Sequence, residues 1–237
     1  MSVRDAWEEE AANWLAWART PGHDSYWRFH RDRFLALLSP PPTRLLDVGC
    51  GEGRLPRDLK SAGYEVVGID GSSTLVQHAL AADPGGDYRV ADAAALPFED
   101  GTFPLVTAFM SLHDIDDAAG ALAEMARVLQ PGGSLCMAMV HPINSAGAFE
   151  DDEADAPFVI RDSYFEERRY ADSVERDGLQ MTFTSYHRPL QAYTAWLEAA
   201  GMTIRQIVEV EDSTAPAGSR WQRIPLFIHL RATKDAG

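Results

Sequence analysis

Residues 45–54 read LLDVGCGEGR. The run opens apolar, passes Asp47, and then sets Gly49, Gly51 and Gly53 at alternate positions. Glycine serves where the backbone takes positive φ or lies close against another group. Here it sits between a strand-like RLLDV and a helix-like LPRDLKSAG, so the GxGxG is a strand-to-helix turn built to approach a ligand. A dinucleotide-binding turn carries its third glycine one position later, where this chain has Arg54. The glycines therefore announce a ligand without naming it.

Working outward, short apolar runs alternate with amphipathic ones. RLLDV, YEVVGID, DYRVA, PLVTAFM and SLCMAMV are strand-like; LPRDLKSAG, SSTLVQHALAA and DDAAGALAEMARVLQ are helix-like. Such alternation predicts right-handed crossovers and a parallel sheet covered on both faces, with ligands beyond the carboxyl ends of the strands. Acids stand at those ends. Asp70 closes the second strand about 20 residues after the glycines, where a carboxylate meets ribose hydroxyls and repels a 2′-phosphate. Asp92 closes the third, placed for an adenine amino group. Three aspartates beside a glycine turn suit a cationic, hydroxyl-bearing ligand better than a pyrophosphate.

With these residues read, LLDVGCGEGR, VVGID, ADAAALPFEDGTFPLV and EMARVLQPGGSL resemble the class I S-adenosylmethionine-dependent methyltransferases. The likeness is to the small-molecule branch of the ubiquinone/menaquinone-biosynthesis type, and covers residues 43–141. It implies an α/β, Rossmann-like, doubly wound seven-stranded sheet whose last two strands, near 203–211 and 224–232, form an antiparallel pair. It also implies S-adenosylmethionine as cofactor, S-adenosylhomocysteine as product, and no metal. Carried across by motif, Asp47, Gly49, Gly51 and Gly53 lie under the amino-acid half of the cofactor. Asp70 takes the ribose, Asp92 and Ala93 the adenine, and Met110 and Ser111 the flank. The implied reaction is in-line methyl transfer to oxygen or nitrogen of a small molecule. An RNA or protein substrate, or a binding scaffold without transfer, are the alternatives.

Methyl transfer to an alcohol or ammonium needs a base, and histidine is the natural one near neutral pH. His113 (MSLHDIDD) and His141 (MVHPIN) follow the fourth and fifth strands, on the ligand edge; either is a candidate base, and for His141 loop-structuring is the competing role. His187 follows a hairpin signalled by Asp177-Gly178. His23 and His30 belong to an amino-terminal pair of helices, the second capped by Asp24 or Ser25. That pair either packs as plain core or roofs a cleft, with Tyr26, Trp27 and His30 inward. His78 and His229 read as structural. The acids of HDIDD read as helix caps. Arg54, Tyr26, Tyr164, Tyr186 and His187 are the acceptor-pocket candidates, within a wider aromatic set that includes Trp17, Phe165, Tyr170 and Phe183. The chain thus divides into a helical cap (1–40), a cofactor-binding core (41–144), an insertion or lid (145–188), and a closing helix and strands (189–237).

The bulk numbers bound the partners. The 237 residues are 46% apolar, ample for one core, and carry 36 acids against 21 Lys and Arg, a formal charge of -15. That charge argues against nucleic acid and anionic membranes. Two cysteines, Cys50 and Cys136, cannot build a disulfide framework, and MSVRDAWEEE lacks the pattern of a signal peptide. The expectation is a cytoplasmic protein acting on a small molecule, as monomer or homodimer.

Overall fold

The computed structural model describes residues 1–236. Helix α1 (Val3–Arg19) leads through a π-helical turn (Tyr26–His30) into α2 (Arg31–Leu35). Then β1 (Arg44–Val48), α3 (Arg54–Ser61), β2 (Glu65–Asp70), α4 (Ser73–Ala82), β3 (Asp87–Val90) and β4 (Phe103–Phe109) alternate. A 3₁₀ turn (Leu112–Asp114), α5 (Ala118–Val128), β5 (Leu129–Val140) and α6 (Pro142–Ala146) follow. Two ribbons come next: β6 (Ala148–Phe149) with β7 (Phe158–Val159), and β8 (Arg168–Arg176) with β9 (Leu179–His187). Helix α7 (Leu190–Ala199), β10 (Met202–Val210) and β11 (Phe227–Lys234) complete the chain.

The main sheet has seven strands in the order β10-β11-β5-β4-β1-β2-β3. Strands β1 to β5 are parallel, while β11 runs antiparallel to both β5 and β10. This is the Rossmann-like parallel architecture the alternation predicts, and its antiparallel end pair is the one the family resemblance implies. The order reverses at β1, which lies between β2 and β4, so the crevice of the sheet opens at the carboxyl ends of those strands. Central strands are apolar on both faces because helices cover both: Leu45, Leu46 and Val48 of β1 are all fully buried.

Side-chain caps start several of the helices. Ser2 and Asp5 form a reciprocal capping box on α1, Ser72 caps α4, and Asp117 caps α5. Asp177 and Gly178 both take positive φ (52° and 76°), the geometry of a two-residue hairpin turn, and join β8 to β9 in register.

The amino-terminal pair differs from expectation. The second segment is a π-helical turn and one short helix, and Trp27 points outward at 64% exposure. The inward positions are taken by Tyr26 and His30, both buried. The Tyr26 hydroxyl donates to Asp58 (2.6 Å), and His30 Nδ1 lies 2.9 Å from His229 Nε2. With those two anchored, Trp27 turns to solvent, where the Arg31 guanidinium covers its ring at 5.6 Å.

Candidate functional site

The three glycines are required for three reasons. Gly49 (φ 77°) has no room for a side chain, since a Cβ there would stand 2.3 Å from Cβ of Ser111. At Gly53 (φ 81°) a Cβ would press on Ala79, Arg57 and Tyr88 at 3.0–3.1 Å, so that glycine seats α3 against α4 and β3. Gly51 (φ 55°) faces open space, its nearest neighbour being Trp14 Nε1 at 3.9 Å. It is the one of the three with open space before it. The loop is tied to β2: Gly49 and Cys50 donate to the Ile69 carbonyl at 2.8 Å, and Gly51 N–H donates to Asp70 Oδ2 at 2.8 Å. Asp70 Oδ1 also accepts from Ser72 N–H at 2.8 Å. One carboxylate therefore fixes two turns at once.

These residues border a cavity of about 1510 Å³ along the strand ends. Asp47, Gly49, Gly51, Asp70, Asp92, Ala93, Met110 and Ser111 all line it. Gly53 does not; it acts from behind. Asp47 is 1% exposed and accepts from the Thr107 hydroxyl (2.7 Å), and burial pushes its carboxyl up to about 7. Burial raises Asp70 too, opposed by its two N–H donors. Neither forms an ion pair among the described residues, whereas Asp92 is exposed on the cavity rim. Met110 is held at positive φ (52°) with its N–H on the Ala138 carbonyl, and Ser111 donates to the Val48 carbonyl at 2.6 Å. Two buried, unpaired carboxylates and an exposed third fit a ligand that brings a positive charge and hydroxyl donors, as S-adenosylmethionine does.

The far side of the cavity is a roof. Strand β9 lies along α1, with Trp7 Nε1 donating to the Thr184 carbonyl at 3.2 Å. Trp7, Trp14, Trp17 and Phe183 meet edge to face there, ring centres 5.9–6.3 Å apart where they touch. Arg54 reaches into the same space, 2.8 Å from Asp24 and over the rings of Trp14 and Tyr26. The hairpin tip is latched by His23 Nε2 at 2.9 Å from Asp177 Oδ2, and by Arg176 donating to the Gly22 carbonyl.

The remaining candidates separate. His113 lines the cavity. Burial holds its imidazole neutral, down to about 3, and its Nδ1 has no partner. His141 does not line it. His141 Nδ1 accepts from Ile143 N–H (3.0 Å) and caps α6, while Nε2 lies 3.1 Å from Glu209 on the outer strand. Its position is structural because the turn after β5 needs a cap and the imidazole supplies it. His187 is fully buried, with Ser145 Oγ 2.8 Å from Nδ1 and the Tyr164 carbonyl 2.9 Å from Nε2. Tyr164 OH accepts from Leu190 N–H, Tyr186 OH donates to Asp116, and Tyr26 OH donates to Asp58. These four side chains brace the roof from outside the cavity. Of the five acceptor-pocket candidates, Arg54 alone borders it.

Among the cavity residues that escaped the sequence reading, one matters for chemistry. Asp114, next to His113 in SLHDIDD, reads as a helix-capping acid, but Asp117 performs that task and Asp114 turns inward. Ser185 of β9 donates to its Oδ1 at 2.6 Å, and burial pushes it up to about 8. The turn carrying it is clamped by buried Arg188, which donates to the carbonyls of Leu112, Ile115 and Asp116 and to Glu167. The available signal was position: the segment follows the fourth strand. Among the described residues no three His, Cys, Asp or Glu side chains converge to hold a metal, and no helix is long and apolar enough to cross a membrane.

Comparison with known proteins agrees with this geometry. Residues 46–137 match the methyltransferase domain model. A demethylmenaquinone methyltransferase of Beutenbergia cavernae is 38% identical over 117 residues, 49% of this chain and 48% of that protein. A ubiquinone biosynthesis O-methyltransferase of Xanthomonas axonopodis is 28% identical over 177 residues, 73% of this chain and 67% of that one. In most such matches the chain spans about half the length of the curated relative. In fold, the crystal structure of an S-adenosylmethionine dependent methyltransferase from Mesorhizobium loti superposes with a TM-score of 0.72. It is 24% identical, and the match covers 85% of this chain and 96% of the other.

Proposed function

We propose that this chain, which belongs through residues 46–137 to the class I S-adenosylmethionine-dependent methyltransferases, transfers a methyl group to a small molecule held beneath α1 and the β8–β9 hairpin. The observation that carries the reading is continuity. One cavity joins the strand-end carboxylates and Gly51 to an aromatic chamber under the roof, so two ligands meet without leaving protein. S-adenosylmethionine, when bound, supplies an electrophilic methyl group on a cationic sulfur. Asp70 would hold its ribose, Asp92 and Ala93 its adenine, and the Asp47–Gly51 wall its amino-acid half. Arg4 and Arg54 are the cations on this side of the cavity that could meet its carboxylate.

The roof orients the acceptor and excludes water, which accounts for most of what such a displacement needs from a protein. His113, neutral on the cavity wall, is proposed to orient the acceptor; His141 shapes the turn behind it. The acceptor atom is oxygen or nitrogen. A reducing, cytoplasmic setting belongs to the proposal, supported by Cys50 and Cys136, both buried free thiols.

The test is transfer of labelled methyl into a small-molecule extract and, separately, into total RNA. Label in the small-molecule pool supports the reading; label confined to RNA overturns it. Asp70→Ala accompanies it, with an expected loss of about 1.5–3 kcal/mol in S-adenosylhomocysteine affinity by calorimetry. Unchanged affinity removes Asp70 from the cofactor site.

A further inference from the structure

We infer that the methyl acceptor is an amine, taken up in its ammonium form against Asp114. The inference rests on the proposed transferase reading and narrows its substrate class.

Asp114 stands on the cavity wall at the end of β4, opposite the roof strand that steadies it. Ser185 fills one lone pair of Oδ1 (2.6 Å), and His113 Nε2 lies 3.6 Å away, beyond hydrogen-bond reach. Asp114 therefore keeps acceptor capacity directed at the cavity. Beside it the His113 ring also lines the cavity, Nε2 being the nitrogen near Asp114. A carboxylate and an imidazole nitrogen side by side make a receiver for N–H donors, and an ammonium has three. The nearest cation, Arg188, is committed to three backbone carbonyls and to Glu167, so it holds the turn from behind and leaves the carboxyl unpaired.

The rest of the wall points the same way. Arg54 is engaged by Asp24, Arg161 by Glu150 and Arg220 by Asp152, Arg168 is spent on the Ser145 and Ala146 carbonyls, and the remaining lining guanidinium, Arg4, acts on Asp70 at the cofactor end. Carboxylates outnumber guanidinium groups along the cavity, which attracts a cation and repels an anion. Trp14, Tyr170 and Phe183 add aromatic surface, favourable to a cation or to a planar group carrying one. Burial holds a proton on Asp114 near neutral pH, so an arriving ammonium displaces that proton to solvent. For methylation, one N–H bond then breaks, its proton forms an O–H bond on Asp114, and the electron pair stays on nitrogen as the nucleophile.

The experiment is calorimetry on the full chain with phenethylamine and its near-isosteres 2-phenylethanol and 3-phenylpropionate, in two buffers of different ionisation enthalpy. The amine is expected to bind at least about tenfold more tightly than either isostere, with proton release, and Asp114→Asn is expected to abolish both the preference and the release. Equal binding of the three probes, carboxylate preference, or an amine preference that survives in Asp114→Asn overturns the inference. If Asp114→Asn does not fold, absence of buffer-dependent heat in the unsubstituted protein overturns it equally. S-adenosylhomocysteine is titrated in parallel. Its failure to bind with the amine preference intact defeats the transferase reading alone; its binding without an amine preference defeats this inference alone.

Discussion

The cofactor edge and the roof face each other across one cavity, but they are held by different means. At the edge, position is set by backbone: alternate glycines, N–H groups on Asp70, and a carbonyl of β2 shared by Gly49 and Cys50. At the roof it is set by side chains, with indoles packed edge to face and the His23–Asp177 latch. The edge therefore has a short, local specification, while the roof depends on residues about 170 apart in the chain, as in Trp7 and Thr184. A site built this way keeps one ligand constant and lets the other vary, because roof side chains change without disturbing the sheet.

Four substitutions sharpen that contrast. The largest effect is expected at Asp47, whose folded carboxyl is pushed up to about 7 from an unfolded value of 3.8. Between those values the native state holds a proton that the unfolded state has lost, so Asp47 erodes stability as pH rises through this window, by about 1.4 kcal/mol per unit. Asp47→Asn removes that loss. Its stability advantage in urea denaturation should be small at pH 4, grow to the order of 4 kcal/mol at pH 7, and stay level above. A pH-independent difference would mean that Asp47 is ionised in the folded protein.

Next comes Gly49→Ala, at positive φ and facing Ser111, with an expected cost of about 3 kcal/mol from strain and overpacking. Gly51→Ala should cost only about 1–2 kcal/mol of stability, the strain alone, yet weaken cofactor binding because its Cβ enters the cavity. Thermal melts and cofactor titration on the pair separate folding glycine from binding glycine; equal behaviour would dissolve that distinction. The smallest effect belongs to His141→Ala, where loss of the α6 cap should lower stability by about 1 kcal/mol while turnover stays within about twofold. A hundredfold fall in turnover would return His141 to the reaction.

Legibility followed the same division. The parallel sheet and the strand-end carboxylates were readable because periodicity and glycine spacing are local signals, whereas the antiparallel end pair followed only from the family resemblance. Asp47, Asp70 and Asp92 could be placed from strand ends alone, and all three line the cavity. Side-chain direction in the roof has no such signal. Tyr164, Tyr186 and His187 look like pocket residues by composition, yet their polar atoms close on Leu190, Asp116, Ser145 and the Tyr164 carbonyl. Asp114 was misread for the opposite reason: three aspartates share one short turn, and only tertiary contacts decide that Asp117 caps and Asp114 faces inward. Trp27 was lost to a π-helical turn, whose i→i+5 hydrogen bonding shifts the faces that a 3.6-residue pattern anticipates.

Helix α1 carries a last consequence, in the time order of synthesis. Its Glu8 accepts from Ser72, Ser73 and Thr74 at the head of α4, and its indoles rest on β9. The segment is translated long before either surface exists, so its apolar stripe waits, uncovered, until the hairpin has emerged. Such a helix is an early product whose last contacts wait for the hairpin to be made.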